Sequence, residues 1–375
     1  MLNTLMGRMV LPGKAKANVK RPGMQSGRHP SVSVIVPCYN YGRYLPACVK
    51  SILDQQDVRV DVLVIDDAST DGSAEIVRGL MTQDARIRTI CHAANRGHIA
   101  TYNEGLAQAS GDYTVLLSAD DLLTPGCLAR ATSLMEAHPS VGLTYGFTLD
   151  CTDDLIPAAR TVATSWIIWP GHNWLAHRCK TGRNVLRSPE AVMRTSVLHE
   201  IGYYRADLPH SADFEMWMRA ATASDVGYVG GADQAYYRIH ANNMHHSFFD
   251  VLADISERLR CFDTIFSERS GLLANPGPMH DTAHQTLARE AQGLAISAYA
   301  RGIIAQEPVD DYASFALKAW PDITRTRGWR TLSRLRQAGG RGRPGHGRDP
   351  SLMAGEALRR LRWSARWWRQ RWAGV

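Results

Sequence analysis

The pattern of apolar and polar positions divides the chain into segments of different character. Residues 1–30 mix Gly, Pro, Lys and Arg with no sustained apolar period, which predicts a basic, disordered arm. From Ser31 the pattern becomes that of an α/β protein. Ser31 to Val36 is a β-branched run suited to a buried parallel strand, closed by Pro37. Leu45, Cys48, Val49, Ile52 and Leu53 then recur at helical spacing between Tyr44 and Gln55. The same reasoning predicts a strand over 60–65, a helix over 73–83, a strand over 86–91, a helix over 98–109 and a strand over 113–117, with helix 125–137 and strand 141–147 after them. Such alternation predicts a mainly parallel sheet covered by helices on both faces. Ligands of these sheets collect beyond the carboxyl ends of the strands, and polar clusters stand at three of those ends. Beyond residue 150 the rhythm loosens, with helices expected near 189–201, 213–223, 250–270 and 281–304. Residues 336–352, rich in Gly, Arg and Pro, predict a flexible linker before a last helix at 353–375.

Composition narrows the class. At 375 residues and 45% apolar content, the chain has room for a domain of about 200 residues and a smaller helical part. No uncharged apolar run approaches the roughly 20 residues that cross a bilayer, so neither a transmembrane helix nor a signal peptide is expected. Seven cysteines without paired ligand spacing argue against a disulfide scaffold or a zinc site, and for a reducing, cytoplasmic setting. The net charge of +7 is divided unevenly: +6 in residues 1–30 and +12 in 325–375, leaving about −11 for 31–324. The acidic body argues against nucleic acid as a partner, while basic ends fit an anionic surface. In the last helix Leu358, Leu361, Ala365, Trp368 and Trp372 recur in steps of three and four among Arg359, Arg360, Arg362, Arg366, Arg369 and Arg371. That arrangement suits an anchor on an anionic membrane surface, and equally a helix packed on the body.

The strand-end acids are the candidate chemistry. Asp120 and Asp121 are hard oxygen donors of the kind Mg²⁺ or Mn²⁺ takes when it also bridges phosphates, although two acids after a strand also make an ordinary turn or cap. Asp66 and Asp67 end an earlier strand, where a carboxylate accepts from a base N–H or a ribose hydroxyl, or else caps the helix beginning near Ser73. Pro37, Cys38, Tyr39 and Asn40 close the first strand and either pack around a base or form a plain turn.

Taken in order, Ser33 to Asn40, Val64 to Gly72, Asn95-Arg96-Gly97 with Asn103-Glu104-Gly105, and Gly111-Asp112-Tyr113 leading to Ala119-Asp120-Asp121 closely resemble family 2 of the GT-A glycosyltransferases. The likeness runs to about residue 245 and leaves out the tails. It implies an α/β, Rossmann-like GT-A domain at 31–245 followed by a helical C-terminal region at 246–335. It implies an inverting enzyme that moves a sugar from a nucleotide-diphosphate donor to the hydroxyl of a saccharide, lipid-linked or other acceptor, with Mg²⁺ or Mn²⁺. The residues it assigns to the nucleotide sugar are Pro37, Tyr39, Asn40, Asp67, Arg96, Asp120 and His240, and Asp121 is assigned to the metal. Ser118 stands where many members carry a further Asp.

In that family the catalytic base lies in a late helix often written Glu-Asp-x-x-x-Trp. Here the stretch is Ser211-Ala212-Asp213-Phe214-Glu215-Met216-Trp217, which points to Asp213, with an N-cap role for Asp213 and a base role for Glu215 as alternatives. Tyr237-Arg238-Ile239-His240 resembles another family element, where Arg238 or His240 would stabilise growing phosphate charge. Acceptor contacts fall to 150–190. The family also implies surface polysaccharide or glycoconjugate synthesis, in the cytoplasm or peripheral on the inner face of the membrane. Two other readings compete. A nucleotidyltransferase would need a Gly-rich basic loop after the first strand, which Pro37 to Arg43 lacks. A catalytically lapsed binding protein would use the basic arms for membrane or nucleic acid.

Overall fold

The computed structural model describes residues 18–20, 22, 29–241, 243 and 250–337. Strands β1 (Asn18–Lys20) and β2 (Ser31–Cys38) lead to α1 (Leu45–Leu53), β3 (Arg59–Asp66), α2 (Ser73–Gln83), β4 (Ile87–Cys91), α3 (His98–Ala107), β5 (Tyr113–Leu116), β6 (Leu122–Leu123), α4 (Cys127–Ala137) and β7 (Val141–Cys151). Next come β8 (Ser165–Trp169), α5 (Gly171–Thr181), β9 (Val192–Arg194), α6 (Thr195–Ile201), α7 (Ala212–Ala223) and β10 (Asp225–Arg238). Helices α8 (Val251–Glu268), α9 (Pro276–Arg301), α10 (Val309–Ala319) and α11 (Arg327–Gln337) complete the described chain.

A single sheet runs through the domain in the order β1-β8-β10-β7-β9-β5-β2-β3-β4, with β6 added beside β10. Its first half, β4-β3-β2-β5, is wholly parallel. The second half is mixed: β7 and β10 are parallel, while β8 and β1 run antiparallel at the edge. β9 joins the halves, antiparallel to both β5 and β7. Because β3 and β4 lie on one side of β2 and β5 on the other, the connections leave β2 in opposite directions. A crevice opens at that switch point, beyond the carboxyl ends of β2, β3 and β5.

The β-branched run of β2 is explained by burial on both faces. Val32, Val34 and Val36 pack with Leu45, Val49 and Ile52 of α1 and Leu128 of α4. Ile35, with Leu63 and Ile65 of β3, packs on the other face against Ile99 and Leu106 of α3. Gly105 lets α3 approach closely, since a Cβ there would stand 2.2 Å from Ile35 Cγ2.

Four features depart from the sequence expectation. Pro37 lies inside β2, opposite Ile65, because the ladder to β5 has already ended at Ile35 and the Pro37 carbonyl still accepts the Ala119 N–H at 3.2 Å. The helix expected over 189–201 is confined to α6; Val192 and Met193 are drawn into β9, where Met193 pairs with both Thr114 and Leu143. Asn18–Lys20, within the expected arm, pairs with Trp166–Ile168 and covers the open edge of β8. β8, α5 and the long β10 replace what the pattern left irregular. The expected GT-A-type sheet with a C-terminal helical extension is otherwise present, its last helices packed around Ala288, Ala291, Ala295, Ala313 and Ala316. The remainder of 1–30, most of the 336–352 linker and the 353–375 helix lie outside the described residues.

Candidate active site

The loops after β2 and β3 are tied to each other. Asn40, with a left-handed φ of 58°, accepts the Thr70 N–H at 2.8 Å on its side-chain oxygen and donates its own N–H to Ser69 Oγ at 2.9 Å. Asp71 accepts the Gly42 N–H at 2.9 Å. Tyr39 projects beside them, 48% exposed. Asn40 therefore holds the two loops together, and the neighbouring Tyr39 is left half exposed.

The two acids at the end of β3 differ in use. Asp67 is buried and its carboxylate holds the segment before α3: it accepts the N–H groups of Arg96 at 2.8 Å and Gly97 at 3.0 Å, and His92 Nδ1 lies 2.7 Å away. Burial raises its pKa, but the bonds from His92, the Arg96 backbone and Thr101 outweigh this and hold it below the ordinary value. Asp66 Oδ1, also buried, has no partner among the described residues. Glu104 of α3 bonds His92 Nε2 at 3.1 Å and pairs with Arg96, so the Arg96 guanidinium is engaged at the rim.

Beyond β5, Asp120 and Asp121 are both buried. Asp121 accepts the Arg238 N–H at 2.9 Å, and Asp120 Oδ2 meets His240 Nε2 at 3.0 Å. Asp120 Oδ1 has no partner among the described residues. Burial, then the neighbouring Asp120 charge, push the Asp121 carboxyl well above its usual range, only partly offset by the Arg238 backbone and the positive charges of Arg187 and Arg238. Two buried carboxylates with an unsatisfied oxygen form a site that favours a cation. The donor set is all hard oxygen, which suits Mg²⁺ or Mn²⁺. The end of β10 backs it: Arg238 Nε donates to the Asp120 carbonyl at 2.9 Å, and His240 stacks on Tyr44 at 5.2 Å between ring centroids. Both Arg238 and His240, offered by the sequence as alternatives, thus contact the acid pair.

Asp213 lies in the first turn of α7, where its Oδ1 accepts the Phe214 N–H at 2.6 Å and its Oδ2 accepts from Asn184 Nδ2 at 2.9 Å. The helix N-cap is Ser211, so Asp213 assists the first turn from within the helix. Burial raises its pKa to about 6 against these hydrogen bonds. Glu215 is fully buried and bound to Arg219 through Nε at 3.0 Å and Nη2 at 2.9 Å. The Tyr102 phenol, half-buried on α3, has its pKa pushed up first by desolvation and then by the charges of Asp120, Tyr41, Asp213 and Asp121. Carboxylates from two distant segments, the end of β5 and the start of α7, therefore act on one ring.

Residues 33–201 match the family model for glycosyl transferase family 2. Residues 33–201 belong to glycosyltransferase family 2. An uncharacterised glycosyltransferase of Nostoc sp. is 28% identical to this enzyme over 230 residues, 58% of this chain and 67% of the relative. Glycosyltransferase GlyG of Streptococcus pneumoniae is 41% identical over 93 residues, 24% of this chain and 31% of GlyG, so the chain spans less than a third of that relative. Among solved structures, S. aureus TarS 1–349 in complex with UDP-GlcNAc superposes with a TM-score of 0.56 at 19% identity, covering 82% of this chain and 92% of that one. The Pyrobaculum calidifontis mannosyltransferase PcManGT, in complex with GDP-Man and Mn²⁺, gives 0.53 at 18% identity, covering 93% and 91%. At such identity these likenesses speak for the GT-A fold of the glycosyltransferase.

The sequence reading did not single out His92, Tyr102 or Asn184. His92 directly follows β4 and Tyr102 directly precedes the quoted Asn103-Glu104-Gly105, so both stood beside recognised features. Asn184 carries no local signal, because its role arises only when the segment after α5 meets α7.

Proposed function

We propose that this glycosyltransferase moves a sugar, with inversion, from a nucleotide-diphosphate donor to an acceptor hydroxyl. The nucleoside rests against the ends of β2 and β3, bounded by Pro37, Tyr39 and Asn40, with Asp67 fixing the Arg96–Gly97 segment and Asp66 presenting an oxygen that has no partner among the described residues. Mg²⁺ or Mn²⁺ would be held by Asp121 with Asp120 beside it; when bound, it neutralises charge on the departing diphosphate. Arg238 and His240 keep the two acids in place, and their positive or donor groups stand beside the expected diphosphate. Asp213 accepts the proton of the attacking hydroxyl, which in-line inversion brings from the face opposite the leaving group. What supports the proposal is that the charges of Asp120, Asp121 and Asp213 all act on the Tyr102 phenol, which puts the α7 acid within electrostatic reach of the same ring as the strand-end pair.

The same reading extends to setting: surface polysaccharide or glycoconjugate synthesis on the cytoplasmic side, with residues 353–375 meeting an anionic membrane. Among the described residues no helix is long and apolar enough to cross a membrane. The test is release of nucleoside diphosphate from a panel of nucleotide sugars in the presence of acceptor extracts and Mn²⁺. Metal-dependent release that Asp213→Asn abolishes supports transfer. Pyrophosphate release from a nucleoside triphosphate would instead favour a nucleotidyltransferase.

A further inference from the structure

Away from the crevice, three metal-ligating side chains meet between α8 and α9. His280 and His284 are four residues apart on α9 and so share one face of that helix. Asp263 reaches them from α8: its Oδ1 lies 2.7 Å from His280 Nε2 and 2.7 Å from His284 Nε2, and the two Nε2 atoms are 3.0 Å apart. The tautomer of His284 follows from its other nitrogen. Nδ1 lies 3.0 Å from the Ala319 carbonyl at the end of α10, to which it donates, so in the neutral ring the Nε2 lone pair points at Asp263. Metal-bound histidines are oriented in this way, by a carbonyl or carboxylate on the second nitrogen. An acceptor nitrogen facing a carboxylate oxygen at 2.7 Å requires a positive species between them, either a proton or a metal ion.

We propose that Asp263, His280 and His284 form a second metal site, for a borderline divalent ion such as Zn²⁺ or Co²⁺. Two imidazoles and one carboxylate select such ions over the hard Mg²⁺ or Mn²⁺ suited to Asp121. Ligands about 2.0–2.1 Å from a tetrahedral ion stand about 3.3 Å apart, so a few tenths of an ångström of side-chain rotation admits one. Three protein ligands leave a fourth position for water, and the side chains are between 24% and 47% exposed, so the ion enters from solvent. Bound there, it pins α8 to α9 and, through Ala319, to α10. The consequence reaches the domain, because α8 also holds α7: Phe262 packs edge-on to Phe214 at 5.5 Å, and Glu257 accepts the His210 N–H at 2.8 Å.

The test uses the full chain, stripped with a chelator and titrated with Co²⁺ and with Zn²⁺ at neutral pH. The wild type is expected to bind one ion with visible Co²⁺ absorbance and to melt higher in Zn²⁺. His280→Gln and Asp263→Asn are expected to lose affinity on the order of 100-fold and to lose the melting shift, with unchanged far-ultraviolet circular dichroism. Asp121→Asn is expected to retain both effects. No binding by the wild type would mean that the three groups share a proton, and would overturn the proposal. Equal Zn²⁺ affinity in wild type and His280→Gln would overturn it too, since the ion would then sit elsewhere, for example on the exposed Cys91.

Discussion

Asp213 and Glu215 stand two residues apart on α7, and their surroundings give them different work. Asp213 is held by one side-chain amide and one backbone N–H, and burial raises its pKa to about 6. A base acts as the carboxylate, so kcat/KM should fall about tenfold per pH unit below about 6 and level off above it. Asn184 donates to the charged form and thereby lowers the pKa; Asn184→Ala should move the acidic limb to higher pH, which a pH–rate profile reads directly. Asp213→Asn should cost about 10²–10⁴-fold in kcat with little change in melting temperature. Glu215→Gln should behave in the opposite way. It leaves Arg219 buried without its charge partner, at a cost of about 3–5 kcal/mol, visible as a lower urea midpoint while the pH profile of the surviving activity keeps its limb. A common pH shift in both variants would undo this division of roles.

At the scale of elements, α3 connects the nucleotide half of the molecule to the proposed base. Asn103 donates to the Tyr204 carbonyl at 2.8 Å and accepts the Tyr204 N–H at 2.9 Å, docking the chain that leads into α7. Glu104 faces the other way, to His92 and Arg96, and Gly105 lies against Ile35 and Ile65. Each member of the Asn-Glu-Gly run thus meets a different neighbour, which is why a loose tripeptide carried family information. Asn103→Ala leaves both backbone groups of Tyr204 unpaired and should cost about 1–3 kcal/mol. Because it frees the segment before Asp213, it should lower kcat while leaving the KM for the donor near its original value. A variant that raised only the donor KM would place the role of Asn103 in the nucleotide half. The elements around α3 were legible because each strand or helix buries a regular stripe on its own. β9 and β10 were not: Met193 fell within an expected helix and Gly227 had no strand pattern of its own, and their pairing arises only when β5, β7 and β8 lie beside them. The proposed metal cluster was half-legible, since His280 and His284 have helical spacing in the sequence, but Asp263 joins them only through the packing of α8 on α9.

For the molecule as a whole, the parallel half of the sheet supplies strand-end acids and the mixed half supplies the β10 end that braces them. The assembly buries two adjacent carboxylates, and this arrangement opposes stability unless a cation is present. The sign follows from proton binding: Asp121 has a raised pKa in the folded state, so the fold binds that proton more tightly than the unfolded chain does. Its contribution to stability is fully present below the ordinary carboxylate range and is lost as pH rises through the folded value. At neutral pH, without metal, the charged pair is therefore a cost. Asp121→Asn keeps an oxygen for the Arg238 N–H and removes the repulsion with Asp120, so in chelator it should melt several degrees higher than the wild type. Adding Mn²⁺ should reverse the ranking. The wild type gains about 2.7 kcal/mol at a hundred times the dissociation constant, whereas the variant, lacking the charged ligand, gains far less. Melting curves in chelator and in Mn²⁺ for both proteins separate the outcomes. An Asn variant that is less stable in chelator and shifts with Mn²⁺ as the wild type does would mean that these acids are structural and that the ion, if one is needed, binds to other groups.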